Sequence, residues 1–225
     1  MKFDMKKADN YEKYARKAVF GYDQLFNLVL SFIAEDKDEH KNVLVVGCGT
    51  GMELTTFGNH MPNWTITGVD PSEEMIKISR NKIDQNNLND RVKLIHGFVE
   101  NISGKEKYDV ATMVFVLRFI ANYNMKKMFL MNIAKLLKPG AHLLIVDQYS
   151  DSDKDHFDSM FKSWRNFMKL SGAPAELVNK IAVQAIEYAF INEYDLQKLL
   201  FESGYGKIKR FYSSFIHGGW IVQKQ

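Results

Sequence analysis

The stretch Val43-Leu44-Val45-Val46-Gly47-Cys48-Gly49-Thr50-Gly51-Met52 decides the fold. Asn42 to Gly47 is a short apolar run ending in glycine, which suits a strand buried on both faces of a parallel sheet. Glycines follow at alternate positions, and a helix is expected to begin near Gly51 and end before Pro62. Strand, glycine-rich turn and helix is the nucleotide-binding arrangement of open α/β sheets. Gly47 lets the chain turn sharply. Gly49 lets a ligand approach the main chain, and Gly51 allows close entry into the helix. A dinucleotide fingerprint needs a further glycine where Met52 stands, which disfavours NAD. No Lys-Ser/Thr pair follows, which disfavours a phosphate cradle of the NTPase kind. A smaller nucleoside carrying an amino-acid tail fits better. Asp70 ends the next strand roughly 20 residues further on, where a carboxylate accepts hydrogen bonds from both ribose hydroxyls. The alternative is a turn acid before Pro71-Ser72.

Outward from this core, the periodicity alternates between strand and helix. Strands are expected at Trp64–Asp70, Arg91–His96, Tyr108–Phe115 and Ala141–Asp147. Ser72 should cap a helix whose first turn carries Glu73 and Glu74. Another helix, Met125–Leu137, should stop at Pro139-Gly140. Before the glycine loop, Ala8 to Ala34 has helical spacing with a break at Gly21. This rhythm implies right-handed crossovers and a doubly wound parallel sheet. The chain's end differs. After a helix at Glu193–Ser203, the runs Lys207–Ser214 and Phe215–Gln223 have almost nothing between them. That excludes a parallel crossover and demands an antiparallel hairpin. Between about Asp151 and Phe190 lie two amphipathic segments, read either as helices on the core or as a lid over the carboxyl edge of the sheet.

Composition bounds the rest. The chain has 225 residues, 46% of them hydrophobic, and 30 basic against 27 acidic side chains for a net charge of +3. That is ordinary globular usage, and the charge balance neither demands nor excludes nucleic acid. No apolar run is long enough for a membrane span. The start lacks a signal-peptide pattern, and Cys48 stands alone, so a cytoplasmic location is the expectation.

VLVVGCGTG, the acid of GVDPSEEM, the strands in KYDVATMVFVLRFI and LLKPGAHLLIVD, and the terminal hairpin follow one another as in the class I S-adenosylmethionine (SAM)-dependent methyltransferases. The chain resembles that superfamily over nearly its whole length. Within it, the chain is similar to small-molecule enzymes near the carboxy-SAM synthase of tRNA wobble-uridine modification. The shared features are the segment KAVFGY, the lid length and the ending FIHGGWIVQK. The resemblance implies an α/β, Rossmann-like, doubly wound sheet of seven strands, mostly parallel, with an antiparallel last strand and a helical lid. It implies a single methyltransferase domain over 1–225, made of an N-terminal helical cap (1–38), a SAM-binding core (40–150), a lid insertion (151–191), and a C-terminal helix and hairpin (192–225).

By position, Tyr22 would contact SAM from the N-terminal helix, and Gly47, Cys48 and Gly49 would line its methionine tail, with Gly51 also in the cofactor-binding set. Asp70 would hold the ribose with Pro71 beside the adenosine. Phe98 and Val99 would border the adenine, and Val114 would lie under the methionine portion. Phe98 stands where the family often has Asp, so stacking or a main-chain contact, or Glu100, must serve the adenine. The related synthase uses a lid arginine for the extra carboxylate of its cofactor. The matching stretch LVNKIAVQAIEY has none, so plain SAM is expected, with S-adenosylhomocysteine as product.

The expected activity is methyl transfer to a small-molecule acceptor through N, O or S. A tRNA-modifying enzyme and a catalytically silent SAM-binding regulator are the alternatives. Arg118 and Tyr149, after the fourth and fifth strands, are the candidate catalytic residues; Arg118 would hold an acidic substrate or be a surface side chain. His96 and His217 read as an adenine-side and a structural histidine. The cluster Tyr11, Tyr14 and Tyr22 would exclude water or simply fill the core. No Asp-Asn pair of the catechol type and no zinc spacing is present, so no metal is expected. No membrane partner is expected, and a homodimer is open.

Overall fold

Strand β1 (Asn42–Val46) forms where the sequence offers consecutive β-branched and leucine side chains, and Val43 to Val46 are at most 2% exposed. In the computed structural model it is flanked on both sides by parallel neighbours, β2 (Thr65–Asp70) and β4 (Tyr108–Val114). The structure describes residues 10–34, 39–102, 107–188 and 190–225. The expected helical start at Ala8 and the cap residues 1–9 and 35–38 lie outside the described residues.

Helix α1 (Tyr11–Ala18) and α2 (Tyr22–Ser31) precede the sheet, and Gly21 separates them at a φ of 66°. Helix α3 (Met52–His60) links β1 to β2, and α4 (Glu73–Gln85) links β2 to β3 (Val92–His96). As expected, Ser72 caps α4, its Oγ accepting from the Met75 N–H at 3.3 Å. Helix α5 (Tyr123–Leu136) runs directly into β5 (Leu137–Ser150). The expected stop at Pro139-Gly140 is therefore corrected, because both residues lie inside β5. Pairing with β4 is irregular there, jumping from Leu137 to His142, and a proline without an N–H is tolerated at such a bulge. Helices α6 (Lys154–Leu170) and α7 (Ala175–Glu187) form the insertion, followed by the two-residue β6 (Ile191–Asn192) and α8 (Glu193–Glu202). Strands β7 (Tyr205–Ser214) and β8 (His217–Lys224) form the hairpin, and Phe215 takes the positive φ of 54° in the two-residue turn.

The sheet order is β3-β2-β1-β4-β5-β8-β7, with β6 added on β5. The seven-stranded path is parallel from β3 to β5, and β8 runs antiparallel between β5 and β7. The order reverses beside β1, so the ends of β1 and β4 splay apart and open a crevice at the carboxyl edge. Core clusters cover both faces of the sheet. A third cluster joins Trp164, Met168 and Val178 of the insertion to Ala18 of α1 and Ile216 of the hairpin. Both readings of the insertion thus hold: it packs on the protein and closes over the carboxyl edge. Among the described residues no helix is long and apolar enough to cross a membrane.

Candidate active site

The glycine loop turns as the sequence demands. Gly47, Gly49 and Gly51 have φ of 66°, 52° and 85°. A Cβ on Gly47 would lie 2.4 Å from Val116 Cγ2, and one on Gly51 would lie 2.4 Å from Ser79 Oγ. At Gly49 the nearest atom would be 3.9 Å away, so a side chain there would project into open crevice. The first and third glycines serve packing, and the middle one keeps the main chain accessible.

Asp70 closes the loop from β2. Its Oδ2 accepts from the Gly49 N–H at 2.9 Å and its Oδ1 from the Ser72 N–H at 2.8 Å. Each carboxylate oxygen carries two lone pairs, so each keeps one acceptor site. Burial raises the carboxyl's pKa, and the two main-chain donors oppose that rise. The expected alternative, a turn acid, is realised through Ser72, and these contacts leave a lone pair on each oxygen for a further donor.

A narrow cleft runs from the loop beneath Tyr22 and Val114, and it takes in Gly47, Cys48 and Gly49. Burial pushes the Cys48 thiol and the Tyr22 hydroxyl well up, so both stay protonated. The same cleft holds a residue that the sequence reading did not single out. Glu53, in the first turn of α3, is 4% exposed, and its Oε1 has no hydrogen-bond partner. Burial raises its pKa to about 7, with Thr112 of β4 pulling the other way. A first-turn glutamate normally complements the helix dipole at the surface. Here it is turned inward.

At the other end of the crevice, Pro71 is exposed, and its carbonyl accepts from His96 Nε2 at 3.2 Å. The Phe98 side chain is 61% exposed, and its N–H donates to Asn101 Oδ1 at 2.7 Å. Val99 buries its side chain in the core with Val69 and Leu117, so it can border a ligand only through main chain. Glu100 accepts from Asn132 Nδ2 at 2.7 Å and is tied to α5.

A second cavity, of about 250 Å³, lies between α1, the insertion and the ends of β4, β5 and β8. Tyr11 and Phe115 line both this cavity and the narrow cleft, so the two spaces meet there. Phe115 adopts a φ of 61°, a conformation that costs a non-glycine residue about 1–3 kcal/mol and clusters at functional sites. Burial raises the Tyr11 hydroxyl's pKa, while the charge of Arg118 lowers it. Arg118 reaches the cavity from the turn after β4, its guanidinium 5.1 Å from the Phe115 ring centre and 5.0 Å from that of Phe119. Its N–H donates to Asp147 Oδ2 at 3.1 Å, and buried Lys126 donates to the Leu117 carbonyl at 2.9 Å, pinning the turn.

Tyr149 is placed away from this cavity: its hydroxyl accepts from Arg210 and its ring packs on Trp220 at 5.5 Å. Successive strand residues point to opposite faces, and Gln148 is the β5 side chain that lines the cavity. Opposite Gln148 in the β5–β8 register stands His217, also lining the cavity, with their Nε2 atoms 3.4 Å apart. Burial pushes the His217 pKa down to about 3, so it is neutral.

The insertion is fastened to α1. Trp164 Nε1 donates to the Ala18 carbonyl at 2.6 Å, and Lys17 donates to the Gly172 carbonyl. Glu12 of α1 pairs with Arg16 at 3.2 Å and with Lys82 of α4, which ties α1 to the core.

A glycine-lined crevice at the switch point, an acid at the end of β2, and an antiparallel β8 are what the doubly wound methyltransferase class has in common. Residues 44–143 match the family model described as a methyltransferase domain. Malonyl-[acyl-carrier protein] O-methyltransferase 2 of Ilyobacter polytropus is 30% identical over 199 residues, covering 84% of this chain and 71% of that protein. Carboxy-S-adenosyl-L-methionine synthase of Pectobacterium atrosepticum is 24% identical over 172 residues, 76% of this chain and 69% of that one. Among solved structures, a SAM-dependent methyltransferase from Aquifex aeolicus superposes with a TM-score of 0.67 at 19% identity, covering 100% of both chains. The chain belongs to the class I SAM-dependent methyltransferases.

Proposed function

We propose that the protein binds SAM in the crevice between Gly47 and Phe98 and transfers its methyl group to a small molecule in the cavity under the insertion. The observation that carries this reading is the junction at Tyr11 and Phe115, where the narrow cleft and the larger cavity meet. A cofactor's reacting end and an acceptor have one shared place to meet.

The residues present fit the group. Gly49 leaves main chain open, and Asp70 keeps an acceptor site on each oxygen for the ribose hydroxyls. Glu53 offers a buried carboxylate without a partner at Oε1, suited to the ammonium of a methionine tail. Gly47, Cys48 and Val114 line the cleft and Tyr22 covers it, while Gly51 packs against Ser79 outside it. Pro71, Phe98 and the Val99 main chain border the adenine. Bound SAM supplies an electrophilic methyl on a sulfonium. The protein's part is to orient the acceptor and keep water out, which Tyr11, Phe115 and the insertion do by enclosing the junction. The free, buried Cys48 suits a reducing compartment and cytoplasmic action.

Calorimetry with SAM, carboxy-SAM and NAD tests the reading. SAM should bind most tightly, carboxy-SAM more weakly and NAD not at all. Absence of SAM binding, or tighter binding of NAD, refutes it.

A further inference from the structure

The acceptor cavity has an apolar wall and a one-sided charge. Arg118 and Lys180 are its charged lining residues, and no carboxylate lines it among the described residues. Three polar atoms of lining residues, Arg118 Nε, Gln148 Oε1 and His217 Nδ1, are shut off from solvent and have no hydrogen-bond partner. Buried polar atoms without partners cost stability; of these, the Arg118 Nε–H is a donor that an anion satisfies, whereas the Gln148 Oε1 acceptor calls for a donor that an anion does not bring. The Phe115 and Phe119 rings flank the Arg118 guanidinium, while Asp147 on the Arg118 main-chain N–H and Lys126 on the Leu117 carbonyl hold the turn that carries it. A guanidinium fixed in this way, facing an apolar space, recruits a planar anion.

The geometry points to an acceptor that is a small carboxylic acid with an apolar body, bound through its carboxylate by Arg118 beside the Tyr11–Phe115 junction and methylated there to an ester. This deepens the methyltransferase reading and rests on it. The cationic lining disfavours an ammonium acceptor. A phenol or thiol arrives protonated and needs a base. His217, the histidine that lines the cavity, is neutral and only weakly basic because burial holds its pKa down at about 3. A carboxylic acid arrives already ionised at neutral pH. One carboxylate oxygen bonds to the methyl carbon as the methyl–sulfur bond breaks. Anion and sulfonium become neutral ester and thioether, and no proton moves. The ester no longer carries the charge that Arg118 recognises, which favours its release.

The test uses the full chain loaded with S-adenosylhomocysteine, and calorimetry with 3-phenylpropionate and hexanoate beside their amides. Each acid that binds should do so about tenfold or more tightly than its amide, as a charge-assisted pair requires. The preference should vanish in Arg118→Gln and survive in part in Arg118→Lys, with S-adenosylhomocysteine affinity retained in both. With methyl-tritiated SAM, the product should release volatile methanol on treatment with base. If the wild type does not bind S-adenosylhomocysteine, the cofactor reading itself fails. If it does, and neither acid outbinds its amide, or the label enters a base-stable product, the carboxylate proposal is overturned while the cofactor reading stands.

Discussion

Replacing Glu53 with glutamine should stabilise the cofactor-free protein at alkaline pH and weaken its hold on SAM. Burial lifts the Glu53 pKa from 4.5 to about 7. The displacement corresponds to about 3 kcal/mol against the ionised form. The sign follows from proton binding. Well below pH 4.5 the group is protonated in both folded and unfolded chains and contributes nothing. As pH rises toward 7, the unfolded chain ionises while the folded one keeps its proton, so stability is lost; above 7 the loss is complete. Glutamine removes that dependence. Urea unfolding of both proteins without ligand should show the variant ahead by about 1 kcal/mol at pH 5 and about 3 kcal/mol at pH 8.5. The latter corresponds to about 6–12 °C in Tm for a chain of this size. At pH 6, SAM binding to the wild type should release a proton, seen as a dependence of the calorimetric heat on buffer ionisation enthalpy. The variant should bind SAM more weakly and release none from this site. A stability gap that is the same at both pH values, or a variant less stable at pH 8.5, refutes the reasoning.

Other expectations follow from the same contacts. Gly49→Ala should cost about 1–2 kcal/mol through its φ of 52° and abolish SAM binding by calorimetry, because its methyl enters the crevice. Gly47→Ala should instead lower the Tm, since its Cβ meets Val116 Cγ2 at 2.4 Å. Asp70→Asn turns an amide NH₂ toward the N–H groups of Gly49 or Ser72, and SAM affinity should fall about tenfold to a hundredfold. Trp164→Phe removes the 2.6 Å bond to Ala18 and should cost about 1–2 kcal/mol, with faster proteolysis of the insertion than of the sheet.

The sheet was readable because its order is written in period and loop length. The hairpin is antiparallel because two residues cannot carry a crossover, and the glycine loop declares itself by composition. The placement of the glycine loop and of Asp70 was readable in the same way, since they sit at fixed distances from β1 and β2. The acceptor side was not. Ala141–Asp147 is apolar on both faces, so no alternation reveals which of Gln148 and Tyr149 faces the cavity. His217 reaches the cavity only because β8 pairs with β5 in a register that the sequence does not spell out. Glu53 looks like any first-turn acid until α3 is packed against β4. Tyr11 is one aromatic in a helix of several, and its place at the junction depends on how α1 lies across the crevice.

Helix α1 is a party wall between two rooms. Tyr11 belongs to the lining of both, and Ala18 bolts the same wall to the roof through Trp164. Withdrawing those eight residues would take Tyr11 out of both linings at once.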